Sequence, residues 1–164
     1  MKPGDDCMRR IRLLILDVDG VQTDGYVNYG LSEGPLKRFH VRDGQGITNL
    51  QRAGVQVAFV SGDDAAATTL RAQRLAVTEV WQRVEDKAGV VRELLARQGV
   101  APEEAAFMGD EGGDLPAMAE VGLAIAPANA VDAVKQRAEW VTEAAGGSGA
   151  VREVSDALIA ARRA

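Results

Sequence analysis

The sequence is poor in the residues that mark several large protein classes. Its single cysteine, Cys7, cannot form a disulfide within the chain, and with only one histidine there is no Cys/His cluster for zinc. Aromatic residues make up 4% of the 164 residues, and the net charge is -5. Both values argue against a nucleic-acid partner, which needs stacking platforms and a basic surface. A small anionic substrate fits this charge if a metal ion and one or two nearby cations offset it.

Long apolar runs are also missing. No stretch approaches the roughly 20 apolar residues that a helix needs to span a bilayer, and residues 1–10 lack the apolar core of a signal peptide. We therefore expect a cytoplasmic protein without a membrane partner. Cys7 is expected to be an ordinary residue on a mobile N-terminal arm.

Short apolar runs alternate with helical patterns along the chain. Strands are predicted at residues 11–16, 55–60, 78–81, 105–108, 123–126 and 140–141. Helices are predicted at residues 46–52, 65–75, 87–98, 115–120, 131–137 and 150–161. This alternation predicts an α/β fold with a Rossmann-like, mostly parallel sheet and helices on both faces, in one domain over residues 1–164. The one obvious insertion is a β-hairpin at about residues 24–41, with strands at 26–29 and 36–40 and a turn at 30–35.

The most informative stretch is the run Asp17-Val18-Asp19-Gly20, which directly follows the first predicted strand. In open α/β sheets, ligands bind beyond the carboxyl ends of the strands. Two carboxylates delivered there would be costly unless a cation or a reaction uses them. The pattern therefore indicates one carboxylate that attacks phosphorus and a second that shuttles a proton, with Mg²⁺ between substrate and protein.

Three more loops bring polar residues to the same predicted edge of the sheet. They carry Ser61 and Gly62, then Lys87 at the start of a helix, and finally Asp110 with Glu111 and Asp114. Phosphoryl transfer needs a nucleophile, a metal ion, donors to the non-bridging oxygens and a proton source. Ser61 can donate a hydrogen bond to a phosphate oxygen, Lys87 can offset transition-state charge, and Asp110 can supply another hard oxygen ligand for Mg²⁺.

These motifs resemble those of a known family. The four signatures of the haloacid dehalogenase-like phosphatases are similar, in the same order, to Asp17-Val18-Asp19-Gly20-Val21, Ser61-Gly62, Lys87 and residues 109–116. The nearly cap-less branch that includes the 3-deoxy-D-manno-octulosonate 8-phosphate (KDO 8-phosphate) phosphatases is also similar at residues 23–25, 39–44 and 146–153. The resemblance covers residues 11–156 and implies the fold of that family without a large cap domain.

The resemblance implies a role for each matching residue. Asp17 would be the nucleophile that forms an aspartyl-phosphate, and Asp19 would be the general acid and base. The Mg²⁺ ligands would be Asp17, the backbone carbonyl of Asp19, and Asp110. The phosphoryl group would be held by Ser61, Gly62 and Lys87.

The resemblance also implies a substrate class and an assembly. The substrate would be a sugar-acid phosphate, with KDO 8-phosphate of lipopolysaccharide biosynthesis as the leading candidate. Members of the branch are typically homotetramers with active sites near the subunit interfaces. The hairpin, here residues 26–40, would form the centre of the assembly, and the glycine-rich segment from Gly146 would lie near a neighbour's substrate pocket.

Three positions depart from the branch pattern. Asp63 stands where the octulosonate phosphatases usually have Arg, Glu111 replaces the second Asp of the last signature, and Ser148 stands where an Arg is common. An ion pair between Asp63 and Arg74 would be similar to the acid-then-base pattern of relatives acting on nine-carbon ulosonate 9-phosphates. Arg71 and Arg74 would either face the sugar carboxylate or be exposed helix positions. Glu111 and Asp114 would either support the metal site or cap the loop.

Several hypotheses for the function are therefore compared. The leading hypothesis is a Mg²⁺-dependent phosphatase of KDO 8-phosphate, with a nine-carbon (KDN or sialic acid) 9-phosphate as the alternative substrate. A non-catalytic oligomerisation module, similar to a domain fused to sialic-acid-activating enzymes, is the second. A phospho-receiver domain also combines Asp, Ser/Thr and Lys at strand ends, but the Asp-x-Asp at the first strand disfavours it. His40 lies in the predicted hairpin arm and is expected to have a structural or interface role.

Overall fold

A computed structural model describes residues 2–28 and 36–163 and contains a six-stranded, all-parallel sheet. The strand order is β3-β2-β1-β4-β5-β6. The strands are β1 (Leu13–Leu16), β2 (Gln56–Val60), β3 (Glu79–Trp81), β4 (Ala105–Met108), β5 (Leu123–Ala126) and β6 (Trp140–Val141). The first strand in the chain therefore lies at the centre of the sheet, with β2 on one side and β4 on the other.

Helices cover both faces of the sheet. They are α1 (Asp5–Arg10), α2 (Val41–Arg52), α3 (Ala66–Arg74), α4 (Lys87–Gln98), α5 (Leu115–Met118), α6 (Asp132–Arg137) and α7 (Ala150–Arg163). Successive side chains of a strand point to opposite faces, so β1 contributes to two cores. Leu14 packs in the core that holds α2 and α7, and Ile15 packs in the core that holds α4, α5 and α6. This arrangement confirms the predicted α/β fold, and the described residues contain no large cap.

The expectation of a mobile N-terminal arm is wrong. Residues Asp5–Arg10 form α1, which packs against α7. The side chain of Met8 is fully buried in the core, and the Nε–H of Arg9 donates to the carbonyl oxygen of Ala161 at 2.9 Å. Cys7 is half-buried. A single apolar anchor gives no helical periodicity, so the sequence carries no pattern from which α1 could be inferred.

Helix α2 begins at Val41, five residues before the predicted start at Gly46. Gly44 and Gly46 have low helix propensity, which favours a loop when the sequence is considered alone. Tertiary packing reverses that preference. A Cβ atom at Gly46 would lie 3.1 Å from the Cα of Arg152 in α7, and one at Gly44 would lie 2.6 Å from the guanidinium of Arg71. The two glycines therefore allow α2 to pack closely against its neighbours.

The described part of the predicted hairpin contains one antiparallel bridge, between Asn28 and Leu36. The predicted turn at 30–35 lies outside the described residues, and the hairpin and the single-domain boundary stay predictions. Within residues 2–28 and 36–163, no helix combines the length and the apolar character that crossing a membrane requires.

Candidate active site

An open cleft of about 360 Å³ lies at the carboxyl edge of the sheet. The loops after β1, β2 and β4 and the start of α4 meet there, as the parallel strand order requires. Its lining includes most of the predicted site residues: Asp17, Asp19, Gly62, Asp63, Lys87, Asp110, Glu111 and Asp114. The sequence therefore predicted most of the side chains that come together at this edge, while Ser61, Arg71 and Arg74 do not line the cleft.

Asp17 lies at the bottom of the cleft, directly after the central strand, and is only 6% exposed. Its Oδ1 accepts the backbone N–H of Val18 at 2.7 Å and lies 3.1 Å from the Nζ of Lys87. Burial, reinforced by the nearby carboxylate of Asp114, raises the pKa of Asp17 to about 7, although Lys87 opposes this shift. The side chain is therefore a carboxylate that depends on a cation to stay ionised.

Asp114 is fully buried and connects several residues that line the cleft. One of its oxygens accepts the ammonium of Lys87 at 2.6 Å, and the other accepts the backbone N–H groups of Asp110 and Glu111 at 2.9 and 3.2 Å. Burial alone would lower the pKa of Lys87, but the charges of Asp17 and Asp114 raise it above its usual value. Lys87 is therefore a fixed cation beside Asp17.

Three carboxylates form a group in which a metal ion could lie: Asp17, Asp110 and Asp114 have oxygens within 4.8 Å of one another. Oδ1 of Asp110 is buried and has no hydrogen-bond partner among the described residues. Burial, with the charge of Asp114 as the next cause, raises the pKa of Asp110 to about 7. Because Asp114 already uses both oxygens, the available ligands are those of Asp17 and Asp110. Hard carboxylate oxygens of this kind suit Mg²⁺.

Gly20 makes this approach of loops feasible. Its φ is +79°, and a Cβ atom there would overlap the carboxylate of Asp110. The loop after β1 is braced further by Thr23, whose hydroxyl oxygen accepts the backbone N–H groups of Gly20 and Gly25 at 3.2 and 3.3 Å. The positions of Asp17 and Asp110 therefore depend on a residue without a side chain.

The carboxylate of Asp19 lies away from this acidic group and contacts Lys37. The ammonium of Lys37 donates to both oxygens of Asp19, at 2.8 and 2.6 Å, and lies 2.9 Å from Oδ2 of Asp63. Among the described residues the ion-pair partner of Asp63 is Lys37, so the Asp63–Arg74 ion pair that the sequence allowed is not formed. The hydrogen bond from Lys37 holds the pKa of Asp63 below its usual value. No sequence motif pointed to Lys37, because only the return path of the predicted hairpin brings it to the cleft.

Ser61 and Gly62 lie where the second strand ends. The Ser61 side chain is buried, and its hydroxyl oxygen accepts the backbone N–H of Asp63 at 3.2 Å. Because the hydroxyl accepts in this bond, its hydrogen can still be donated. Gly62 lines the cleft beside Asp63. The loop can therefore offer a hydroxyl donor to an anion bound above Asp17.

Arg71 and Arg74 line a neighbouring groove of about 370 Å³, which also includes Lys37. The guanidinium of Arg71 lies over the ring of Phe39 and donates to the carbonyl oxygen of His40 at 2.9 Å. Neither arginine lines the acidic cleft as the structure describes it. The two arginines are therefore placed beside the cleft, beyond Lys37.

Glu111 caps its own turn, and His40 lies outside the cleft. The side chain of Glu111 accepts the N–H of Gly112 at 2.7 Å at the rim. His40 lies at the start of α2, with its Nδ1 3.6 Å from the buried carboxylate of Asp43. That carboxylate accepts the N–H groups of Gly149 and Arg152. The structure thus places His40 beside an aspartate that joins α2 to the start of α7.

The glycine-rich segment before α7 packs against the loop that follows β1 in the same chain. The N–H of Gly147 donates to the carbonyl oxygen of Val21 at 2.9 Å, and Gly146 lies so close that a Cβ atom would overlap the carbonyl oxygen of Gly20. Sequence reasoning related this segment to a neighbouring subunit and missed its contact within the chain. The segment supports the loop that carries Asp17 and Asp19.

Gly146→Ala is expected to displace this loop and to lower the melting temperature. The cause is steric: the added methyl group meets backbone atoms, which cannot rotate away as a flexible side chain would. We expect a loss of stability of about 1–3 kcal/mol, measured by urea unfolding. Gly112→Ala is the matched control, because a Cβ atom there meets nothing within 4 Å. Equal stability of the two variants would contradict this role of Gly146.

A parallel sheet with an acidic cleft at its carboxyl edge is typical of α/β proteins that transfer phosphoryl groups. The sequence model of the haloacid dehalogenase-like hydrolase family matches residues 66–154. The 3-deoxy-D-manno-octulosonate 8-phosphate phosphatase KdsC of Yersinia pestis is 43% identical over 162 residues, which cover 97% of this chain and 87% of that protein. The chain belongs to the haloacid dehalogenase-like hydrolases.

Solved structures show the same fold. A 3-deoxy-D-manno-octulosonate 8-phosphate phosphatase from Moraxella catarrhalis, in complex with magnesium, phosphate and KDO, has a TM-score of 0.93 and 32% identity, covering 97% of this chain and 91% of that chain. A cobalt-bound deoxy-D-mannose-octulosonate 8-phosphate phosphatase from Haemophilus influenzae has a TM-score of 0.92 and 38% identity, covering 96% and 92%. These structures confirm the predicted fold and the resemblance to the KDO 8-phosphate phosphatase branch.

Proposed function

We propose that this chain is a Mg²⁺-dependent phosphatase that hydrolyses KDO 8-phosphate to KDO and phosphate. The observation that carries the proposal is the buried carboxylate of Asp17, which lies 3.1 Å from the ammonium of Lys87 and has an oxygen within 4.8 Å of one of Asp110. Oδ1 of Asp110 has no hydrogen-bond partner among the described residues. The names of the relatives supply the substrate, since proteins 43% identical over nearly the whole chain are KDO 8-phosphate phosphatases.

In the proposed reaction, an oxygen of Asp17 bonds to phosphorus as the bond from phosphorus to the sugar oxygen breaks. Asp19 gives a proton to the departing oxygen and then takes one from the water that hydrolyses the aspartyl-phosphate. Lys87, the hydroxyl of Ser61 and the backbone of Gly62 hold the non-bridging oxygens. Phosphate leaves and Asp17 is restored as a carboxylate.

Asp17, Asp110 and the backbone carbonyl of Asp19 would hold the Mg²⁺. When bound, the ion neutralises phosphate charge and the charges of the two buried carboxylates. Oδ1 of Asp110 has no hydrogen-bond partner among the described residues, and the pKa values of Asp17 and Asp110 are raised because Lys87 only partly offsets their burial. Both features support this assignment, because a bound cation would stabilise the ionised form of both carboxyl groups.

Mg²⁺ affinity is expected to rise with pH up to about 7 and to level off above it. Below that pH, the metal-free protein holds protons on Asp17 and Asp110 that the ion must displace, up to roughly tenfold in affinity per pH unit for each proton. Isothermal titration calorimetry in two buffers of different ionisation enthalpy measures the released protons. Mg²⁺ binding to Asp110→Asn should release fewer protons than Mg²⁺ binding to wild type. A Mg²⁺ affinity that does not depend on pH would contradict the assignment.

A panel of phosphate esters tests the proposed activity. With Mg²⁺, KDO 8-phosphate is expected to give the highest kcat/KM for phosphate release, ahead of nine-carbon ulosonate 9-phosphates and sugar phosphates without a carboxylate. Chelation should stop the release, and added Mg²⁺ should restore it. No release from any ester would favour the oligomerisation module, and lasting phosphorylation without turnover would favour a receiver domain.

One observation supports the nine-carbon substrate as a second candidate. Asp63, where the octulosonate phosphatases usually have Arg, places an acid at the rim of the cleft instead of a cation. The carboxylate of Asp63 forms an ion pair with the ammonium of Lys37. Its oxygens give the rim a hydrogen-bond acceptor for sugar hydroxyl groups. A higher kcat/KM for a nine-carbon ulosonate 9-phosphate in the same panel would make this the substrate.

We also propose that the chain assembles as a homotetramer around the hairpin region, with the active sites near the subunit interfaces. Three apolar side chains of this region are exposed, Tyr26, Val27 and Leu36, with Tyr26 at 78%. Apolar groups clustered in this way are typical of a contact surface. Light scattering on the purified protein gives the mass, and a monomer at micromolar concentration would contradict the assembly.

A further inference from the structure

The ammonium of Lys37 has an unusual position for a lysine. Its side chain is only 6% exposed. In the sequence it directly follows Leu36, which forms the antiparallel bridge with Asn28. The ammonium contacts three carboxylate oxygens, two of Asp19 and one of Asp63. A lysine ammonium has three N–H donors, so these contacts use its full capacity. Lys37 therefore has no free donor for an anionic group of the substrate.

The two carboxylates that hold Lys37 are much more exposed than the lysine itself. The Asp19 side chain is 44% exposed and that of Asp63 is 43% exposed, and both line the cleft. The buried ammonium thus lies behind two carboxylates that face the space for a substrate. Contact with both oxygens of Asp19 fixes the side-chain torsions of that residue. Asp63, from the loop after β2, holds the ammonium from the other side.

We infer that Lys37 is the positioning residue for Asp19, fixing its carboxyl group where the departing sugar oxygen must receive a proton. This inference rests on the function proposed above. The proton transfer is the one already described, from Asp19 to the oxygen whose bond to phosphorus breaks. Lys37 takes no proton itself, and its contact is with the carboxyl group that transfers the proton. Lys37 lies in the returning segment of the predicted hairpin, and its ammonium contacts Asp19. The position of that segment therefore determines where the carboxyl group of Asp19 lies.

The nature of the leaving group separates this role from a merely structural one. A sugar alkoxide is a poor leaving group and needs the proton from a well-placed acid, whereas a nitrophenolate leaves without one. Misplacement of Asp19 should therefore slow cleavage of the sugar ester far more than formation of the aspartyl-phosphate from p-nitrophenyl phosphate. A general loss of folding or of phosphate binding would slow both reactions by the same factor.

The experiment compares Lys37→Met with wild type on the preferred sugar-acid phosphate and on p-nitrophenyl phosphate, each with Mg²⁺. Rapid mixing measures the first burst of nitrophenolate, which reports the phosphorylation step alone. We expect kcat for the sugar ester to fall roughly 10²-fold with little change in KM, and the loss to be at least about tenfold larger than for the nitrophenolate burst. Lys37→Arg should recover part of the sugar-ester activity.

Two further variants complete the test. Asp63→Asn leaves the contacts between Lys37 and Asp19 in place and should show a smaller loss with the same bias toward the sugar ester. This variant gives the same comparison if Lys37→Met does not fold. Lys135→Met removes a lysine that pairs with Asp132 at 3.1 Å on α6, outside the cleft, and is the matched control.

Equal losses on the two esters, or no loss, would overturn the role of Lys37. An inactive wild-type protein would instead contradict the proposed phosphatase function.

Discussion

Asp17→Asn is expected to abolish phosphate release, lowering kcat by roughly 10⁴–10⁶-fold. The amide keeps the shape of the side chain but cannot form an ester with phosphorus, so the aspartyl-phosphate does not arise. Phosphate release measures the loss. Acid-quenched wild-type protein should also carry an acyl phosphate that hydroxylamine cleaves, and the variant should carry none.

The stability of the same variant should change in the opposite direction from its activity. In the metal-free fold the pKa of Asp17 is raised from 3.8 to about 7, so the folded state favours the protonated form. Ionised Asp17 therefore destabilises the fold as the pH rises from 3.8 to about 7, and the full effect remains above that pH. At pH above 7, Asp17→Asn should melt at a higher temperature than metal-free wild type, and Mg²⁺ should raise that temperature less.

The control is Asp5→Asn, which changes an exposed acid in the first turn of α1. It should alter neither kcat nor the response to Mg²⁺. Turnover by Asp17→Asn at a rate near that of wild type would exclude the aspartyl-phosphate route. A lower melting temperature of metal-free Asp17→Asn above pH 7 would show that Asp17 stabilises the cleft rather than straining it.

The elements that the sequence predicted best carry their own boundary signals. Helix α4 was predicted at 87–98 and is found there, because the side chain of Asp86 accepts the N–H of Gly89 at 2.9 Å and Gly99 takes the left-handed conformation after its end. The strands β4 and β5 are short apolar runs with turn residues on either side. Local chemistry was sufficient for these elements.

The grouping of the site could be predicted for a different reason. Parallel strands bring their carboxyl ends to one edge, so residues after β1, β2 and β4 must meet whatever the details of packing. The sequence therefore predicted Asp17, Lys87 and Asp110 as neighbours. It could not show that Asp114 holds Lys87 and the Asp110 loop together, because that requires the path of a turn whose bonds are made by side chains.

Contacts between distant segments had no local signal. Lys37 reaches Asp19 and Asp63 only because the chain returns to the sheet after the predicted hairpin. Gly146 is small because the backbone of the loop after β1 lies against it, more than a hundred residues earlier in the sequence. Such residues are chosen by tertiary packing, and a pattern of neighbours along the chain does not identify them.

Lys87→Met is expected to lower both activity and stability, unlike Asp17→Asn. Lys87 is 12% exposed and is the ammonium that Asp17 and Asp114 share, at 3.1 and 2.6 Å. Its removal leaves two buried carboxyl groups without a cation, which costs about 3–5 kcal/mol of stability. Turnover should fall roughly 10²–10³-fold because the fixed charge beside the phosphoryl group is lost.

The pH dependence distinguishes this cause from lost packing, since methionine fills much of the same space. Lys87 lowers the pKa of Asp17, so its removal shifts that carboxyl further toward the protonated form. The stability lost in Lys87→Met should therefore be small at low pH and grow as the pH rises through about 7 and above. Urea unfolding at several pH values measures this slope, and Mg²⁺ should recover part of the loss by neutralising Asp17.

Lys135→Met, which breaks an ion pair whose aspartate is 87% exposed, should change stability by about 0.5 kcal/mol or less at every pH. A loss in Lys87→Met that does not depend on pH would mean that Lys87 supports the cleft by its packing and not by its charge.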